Sequence, residues 1–166
     1  VRQLMKKIFY ILTIFLFKFN IAYSLIEVDI TRGNLDPLPI AVSPLHVDPQ
    51  SDNYQDIKIK ELGELISSVV EKNFKSTGLF NPLNKDAFVQ KPDIAHLKPR
   101  FEDWSLITAQ ALVTGKLLIK NEKLKIEFRL WDVAANKEMI ALAFTTTPSN
   151  WRRVAHIISD KIYERL

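Results

Sequence analysis

The 166-residue sequence contains no cysteine, four glycines and three histidines. Without cysteine the chain can form neither a disulfide nor a zinc–thiolate site, so its fold must rest on packing alone. No pair of glycines has the spacing of a phosphate-binding loop, and His46, His96 and His156 form no metal-binding pattern. These absences predict that the protein has neither a metal site nor a cofactor.

Residue patterns that support catalysis are also missing. The adjacent acids Glu102 and Asp103 do not face each other on a helix, and no serine lies in a G-x-S-x-G turn. The sequence therefore favours a binding or assembly module that is not an enzyme and has no small-molecule substrate. The alternative is an exported α/β ligand-binding or hydrolytic domain with a cleft near Trp104 and His156.

The positive charge of the chain is concentrated in its first 24 residues. The formal net charge is +4, and residues 1–24 carry four basic residues and no acid, so residues 25–166 are formally neutral. No clustered basic stripe remains in that part to attract a nucleic acid. We therefore expect no nucleic-acid partner.

Residues 1–24 have the pattern of a secretory signal peptide. Lys6 and Lys7 form a positive start, residues 8–17 are apolar apart from one threonine, and Ala22 and Ser24 are the small residues of a cleavage site. The alternative is an uncleaved membrane anchor, but the apolar run is shorter than the roughly 20 residues that span a bilayer. We expect cleavage after Ser24 and a periplasmic product.

Alternating apolar residues predict a sheet. Residues 124–130 alternate strictly, and residues 110–120 and 139–147 flank them across short polar turns, so the three segments predict an antiparallel meander. Residues 25–30 and 40–42 predict two further strands, the second in the sheet interior. Residues 48–56 predict an exposed loop, because they are polar and contain turn-forming residues.

Helical periodicity predicts the layer that covers this sheet. Apolar residues recur at three and four positions from Ile59 to Phe74, with Gly78 placed to end that helix, and again from Trp151 onwards. Ser149 or Asn150 is expected to cap the second helix. Residues 81–100 are expected to be mostly irregular, with a turn at 85–88, and a short helix is expected after Pro99. The whole predicts a single α+β domain whose mixed sheet combines the meander with N-terminal strands under helices.

Several short motifs, in order, resemble the amino-terminal domain of the TolB family. They are residues 39–42 (PIAV) followed by Pro44, residues 77–83 (TGLFNPL), Trp104 before residues 111–115 (ALVTG), and residues 151–156 (WRRVAH) leading into 159–166 (SDKIYERL). The resemblance covers nearly all of residues 25–166. It implies a non-enzymatic periplasmic component of the Tol-Pal cell-envelope system, which supports outer-membrane integrity and constriction during division.

The resemblance also implies partners. In the family, the mature N-terminal segment contacts the inner-membrane protein TolA, and mainly a C-terminal six-bladed β-propeller engages the lipoprotein Pal. By position, the TolA-binding segment corresponds here to Leu25, Ile26, Glu27, Val28, Asp29, Ile30, Thr31, Arg32, Gly33, Asn34, Leu35 and Asp36. The expected division is therefore a signal peptide (1–24), a partner-binding segment (25–36) and a TolB-like domain (37–166).

The sequence contains no propeller blade repeat. We therefore expect that this polypeptide does not bind Pal by itself. Two explanations remain open: the chain is a fragment from a split or truncated reading frame, or a separate chain supplies the propeller. A nonfunctional truncated remnant of TolB is the further alternative.

Overall fold

The computed structural model describes residues 36–166, together with the single position Gln3. The remainder of the predicted signal peptide and the predicted strand 25–30 lie outside the described residues. The elements follow in the order β1 (Leu38–Val42), β2 (His46–Val47), α1 (Ile57–Thr77), β3 (Phe80–Pro82), a 3-10 turn (Lys85–Ala87), α2 (Pro92–Ala95), α3 (Phe101–Leu106), β4 (Ala111–Lys120), β5 (Lys123–Asp132), β6 (Lys137–Thr146), a second 3-10 turn (Pro148–Asn150) and α4 (Trp151–Tyr163).

The predicted meander is confirmed. β4 pairs antiparallel with β5 along its whole length, and β5 pairs antiparallel with β6. The tight turn between β4 and β5 consists of Asn121 and Glu122, whose φ angles of 49° and 59° are both positive, as in the two-residue turns that match strand twist. The alternate residues Leu124, Ile126 and Phe128 are buried on one face, so the apolar side of the alternation forms the core.

The complete sheet is mixed, which confirms the predicted fold class. Its strand order is β3-β1-β4-β5-β6, and β2 pairs with β4 outside that path. β1 is parallel to both β3 and β4, and β2 is parallel to a later part of β4. β1 thus occupies the interior position that was predicted for residues 40–42. The sequence patterns did not predict β2 or β3, because two or three residues are too few to show an alternation.

Two amphipathic helices, α1 and α4, cover one face of the sheet, as predicted. Their buried residues join the inward-facing residues of the strands in one large apolar cluster. α1 ends at Gly78, whose φ of 71° is the left-handed conformation that favours glycine. The predicted cap of α4 is wrong: the side chain of Asn150 makes no capping hydrogen bond, because Asn150 ends a 3-10 turn that leads directly into the helix.

A glycine lets α1 lie against the chain between β1 and β2. A Cβ atom on Gly63 would stand 1.9 Å from the carbonyl oxygen of Leu45, and the Leu45 backbone N–H donates to the Gly63 carbonyl at 3.3 Å. This approach needs a residue without a side chain. Gly63 therefore sets how closely the helix packs on the sheet.

The loop that follows β2 is mostly exposed, as predicted for residues 48–56, but it is attached to the sheet at Ser51. Ser51 is buried, and its hydroxyl accepts a hydrogen bond from the Ile119 backbone N–H at 3.2 Å. The Asp52 backbone N–H donates to the Ile119 carbonyl at 2.8 Å. The loop thus continues along the edge of β4, because the backbone groups there need partners.

The opposite face of the sheet is covered at one end, over β1, β2, the start of β4 and the end of β5. The covering chain is residues 83–109, here called the cover segment, which contains the first 3-10 turn, α2 and α3. Its buried residues Ala95, Trp104 and Ala109 pack on Ala41 and Leu112. The predicted turn near 85–88 and the predicted short helix after Pro99 are confirmed, whereas α2 was not predicted.

Candidate functional site

The predicted partner-binding segment joins the folded body at the surface. Of residues 25–36, the structure describes only Asp36, which is exposed, as is Pro37. Residues 25–35 lie outside the described residues, so their role stays a prediction. The chain enters the sheet at Leu38, whose backbone N–H donates to the Leu79 carbonyl at 2.9 Å.

The strand that follows this segment has no free side. β1 is paired with β3 on one side and with β4 on the other. A strand that precedes β1 therefore cannot add to the sheet next to it. The long open edge among the described residues is that of β6, three strands away from β1 in the sheet order. On the core face of β6, Leu142 is 40% exposed, because the helices leave this edge partly uncovered.

A shallow groove of about 250 Å³ lies on the outer face of the sheet. Its polar lining includes His96, Lys116, Glu127 and Arg129. Lys125 bonds Glu127 at 2.6 Å, and this hydrogen bond lowers the pKa of the Glu127 carboxyl below its ordinary value. The guanidinium of Arg129 is likewise paired, with its Nε 3.2 Å from Glu138. The groove thus presents paired charges, which suit polar surface contacts better than acid–base chemistry.

Two of the three histidines meet on this face. The imidazole rings of His46, in β2, and His96, which follows α2, stack with their centroids 4.7 Å apart and an interplanar angle of 9°. Burial lowers the pKa of His46 from its ordinary value of 6.5, and the neighbouring His96 lowers it further. The sequence offers no signal for this contact, because it depends on how β2 and α2 are placed on the sheet.

The third histidine lies elsewhere, so the predicted cleft near Trp104 and His156 is not formed. The Asn73 amide nitrogen is 3.0 Å from Nδ1 of His156 and 2.9 Å from the Ser159 hydroxyl, which links α1 to α4. Trp104 is 1% exposed in the apolar cluster of the opposite face. Its indole N–H donates to Gln90 at 3.1 Å, so the ring serves as a packed core residue.

Neither metal ligation nor membrane crossing is indicated within the described part of the chain. Over residues 36–166 and Gln3, no three His, Asp or Glu side chains are grouped to hold a metal ion. None of the helices in this same part combines the length and apolar character that a bilayer crossing requires.

The described residues form an α+β domain with a mixed sheet, which the chain enters through the exposed residues Asp36 and Pro37. The chain belongs to the TolB amino-terminal domain family, which matches residues 26–139. This match confirms the resemblance that the sequence motifs carried.

Individual relatives agree with this assignment. The chain is 68% identical over 147 residues to the Tol-Pal system protein TolB of Pelagibacter ubique (strain HTCC1062), in an alignment that covers 87% of this chain. That alignment covers 33% of the relative, so the chain spans a third of that protein's length.

Solved structures share the fold at low sequence identity. TolB from Acinetobacter baumannii has a TM-score of 0.60 at 19% identity, with 78% of this chain and 28% of that chain covered. Lipoprotein GNA1162 from Neisseria meningitidis has a TM-score of 0.52 at 13% identity, with 78% and 99% covered. At these identities the likeness indicates a common fold and nothing about partners.

Proposed function

We propose that this chain is a periplasmic, non-enzymatic component of the Tol-Pal system, and that it binds a TolA-like inner-membrane protein through residues 25–36. Through this contact it supports outer-membrane integrity and envelope constriction during division. The observation that carries the proposal is membership of the TolB amino-terminal domain family, in a match that begins at residue 26 and so includes most of the segment. The 68% identity to a Tol-Pal system protein supports it further.

The proposed binding mode is strand addition. Ile26, Val28 and Ile30 alternate with acidic residues, so one side of an extended segment would be apolar. Such a segment can add to the open sheet edge of a partner, where backbone hydrogen bonds provide affinity and alternate side chains provide specificity. The exposure of Asp36 and Pro37 supports this mode, because it lets the segment leave the body into solvent.

The proposal includes export and processing. Residues 1–24 act as a signal peptide whose removal creates the N-terminus at Leu25, next to the proposed strand. Residues 37–166 then form the body that carries the segment. N-terminal sequencing of the protein purified from the periplasm tests this part: a first residue other than Leu25, or retention in the membrane, would contradict it.

Binding is tested with the full chain, exported in a Gram-negative host and titrated calorimetrically with the periplasmic part of a TolA-like protein. Deleting residues 25–36 should abolish binding and leave the thermal unfolding of the body nearly unchanged. Replacing Ile26 and Val28 together by Asp should weaken binding roughly 100-fold, because burial of two such side chains contributes about 3 kcal/mol.

A matched double variant controls for general disturbance of the segment. Glu27→Ala with Asp29→Ala alters the same number of residues on the other side of the strand, and its affinity should stay within about fivefold of the parent. Full binding by the deletion variant would contradict the proposal and would direct attention to the open edge of β6.

A further inference from the structure

The stacked pair of His46 and His96 fastens the middle of the cover segment to the sheet. His46 belongs to β2 and pairs in register with Lys116 of β4, whereas His96 follows α2 in the cover segment. The backbone carbonyl of His96 also accepts a hydrogen bond from the Arg129 guanidinium at 2.9 Å. His96 is 8% exposed, so a change of charge on its ring cannot be fully screened by water.

The hydrogen bond of His96 fixes where its ring can gain a proton. Nδ1 of His96 lies 2.9 Å from the Pro92 carbonyl oxygen. A carbonyl oxygen only accepts, so Nδ1 carries the hydrogen and donates it. The remaining nitrogen, Nε2, is therefore the free basic nitrogen of the ring, and a proton added there would leave the hydrogen bond to Pro92 in place.

The charges around the pair favour one proton on it and oppose a second. Asp48, after β2, and Asp93, in α2, raise the pKa of His46, while burial, His96 and Lys116 lower it. From β5, Glu127 and Arg129 line the groove beside His96. Asp48 and Asp93 can balance a single positive charge on the rings. Two imidazolium rings 4.7 Å apart would repel each other with two further cations nearby.

We propose that the His46–His96 stack is an acid-sensitive contact: the pair holds α2 on the sheet while it carries at most one proton, and its second protonation releases α2. The released part is the middle of the cover segment, which lies beside the groove of about 250 Å³, so acid widens that groove while the face of the sheet under α1 and α4 stays packed. This device is independent of which partner residues 25–36 bind.

The direction of the pH effect follows from linkage. His46 has a lower pKa in the folded state than its ordinary value of 6.5, so the open state binds more protons than the closed state. The stability that the contact provides is present above that ordinary value and is lost as the pH falls below it through the lowered pKa. α2 should therefore open in mild acid and close again near neutral pH.

Amide hydrogen exchange measures this opening. The backbone N–H groups of Ala95, His96 and Leu97 donate to carbonyls at 2.9–3.2 Å and are protected while α2 is closed. In the full chain, their protection, corrected for intrinsic rates, should fall as the pH is lowered from about 7 to about 5, by at most about tenfold per pH unit, the limit for one extra proton in the open state. The amides of α1 should not change.

Two variants separate the pair from other acid effects. His46→Phe keeps a flat ring over His96 without a second charge, so the protection of α2 should no longer depend on pH in this range. His156→Gln removes the histidine between α1 and α4 and should behave like the parent. Equal protection at both pH values in the parent, or an equal fall in His46→Phe, would overturn the proposal.

An NMR titration of the His46 imidazole in the unmodified chain tests the proposal without any variant. His46 should take up its proton below its ordinary pKa of 6.5, and the amides of α2 should lose protection over the same pH range. Protonation of His46 with α2 still protected would also overturn the proposal.

Discussion

The two faces of the sheet differ in how they are covered. One face lies under α1 and α4, which have 21 and 13 residues and bury continuous apolar stripes. The other face is covered at one end by α2 and α3, which have four and six residues. Short helices bury little apolar area, so specific polar contacts must hold the second cover in place.

Because of this difference, substitutions on the two faces should have different consequences for the domain. On the helix-covered face, removal of apolar volume should weaken the whole domain, because the buried residues there form one cluster. On the other face, the cover segment depends on Gln90, on the bond from Arg129 to His96 and on the histidine stack. Changes there should loosen the segment locally and leave the rest folded.

The largest expected effect is a core truncation under the helices. Phe74 is 1% exposed and packs against Phe80 with ring centroids 4.8 Å apart. Phe74→Ala should lower the free energy of unfolding by about 3–5 kcal/mol, the usual cost of such a cavity. Chemical denaturation followed by circular dichroism measures it, and a loss confined to one element would contradict a single cooperative core.

A smaller and local effect is expected from the buried amide of the cover segment. Gln90 accepts hydrogen bonds from the Arg100 backbone N–H at 2.9 Å and the Trp104 indole at 3.1 Å, and donates to the Lys98 carbonyl at 3.0 Å. Gln90→Leu leaves these groups without partners and should cost about 2 kcal/mol.

The stability lost in Gln90→Leu should be confined to the cover segment. Hydrogen exchange should speed up in residues 90–109 and stay unchanged in α1. Uniform destabilisation of the domain by Gln90→Leu would show that the two faces are not independent.

A third prediction concerns Lys85, which joins the start of the cover segment to α1. Its ammonium bonds Glu64, lies 3.1 Å from Glu71 and donates to the Ser67 hydroxyl at 3.0 Å. Burial raises the pKa of the Glu71 carboxyl, and Lys85 opposes this rise. Lys85→Met removes the cation that both carboxylates contact and should therefore cost about 1.5 kcal/mol near neutral pH.

The pH dependence of the stability loss in Lys85→Met distinguishes an ion pair between Lys85 and Glu71 from a packing effect. Without Lys85 the pKa of Glu71 rises further, so the stability difference should grow as the pH increases above the ordinary value of 4.5 and shrink below it. Lys85→Arg should show a smaller loss. If the free energies of unfolding of the parent and Lys85→Met differ by the same amount above and below pH 4.5, the role of Glu71 is contradicted.

The smallest expected effect is a gain. Thr108, at the end of the cover segment, has a φ of 64°, a conformation that a β-branched residue rarely adopts. Thr108→Asn should raise the free energy of unfolding by about 0.5–1 kcal/mol, because asparagine tolerates this conformation. Thr108→Val keeps the branched shape and should give no gain. A stability loss in Thr108→Asn would show that the hydroxyl bond to the Ile107 carbonyl at 2.6 Å outweighs the strain.

The parts of the fold that could be predicted are those whose signal lies within one segment. The alternation of β5 and the three-and-four spacing of α1 and α4 each identify an element without reference to the rest of the chain. Gly78 could be assigned as a helix end for the same reason, and its φ of 71° confirms it. The prediction of a side-chain cap for α4 was wrong, because Asn150 ends a 3-10 turn and does not have the extended backbone that a capping residue needs.

Features that depend on distant partners could not be predicted. β2 and β3 contain two and three residues, and only their pairing with β4 and β1 makes them strands. The sequence around Ser51 indicates only a loop, because its hydrogen-bond partner Ile119 in β4 is distant in the chain. The contact between His46 and His96 needs both the placement of β2 and that of α2. The binding role of residues 25–36 remains a prediction from family resemblance.

The most direct test of the central claim asks whether residues 25–36 are sufficient for binding. A synthetic peptide of these residues is titrated into the periplasmic part of a TolA-like protein, with the full chain and the chain lacking 25–36 measured alongside. The account predicts that the peptide binds within about tenfold of the full chain, and that the shortened chain does not bind. If the peptide does not bind and the shortened chain binds as well as the full chain, the proposed role of residues 25–36 is contradicted.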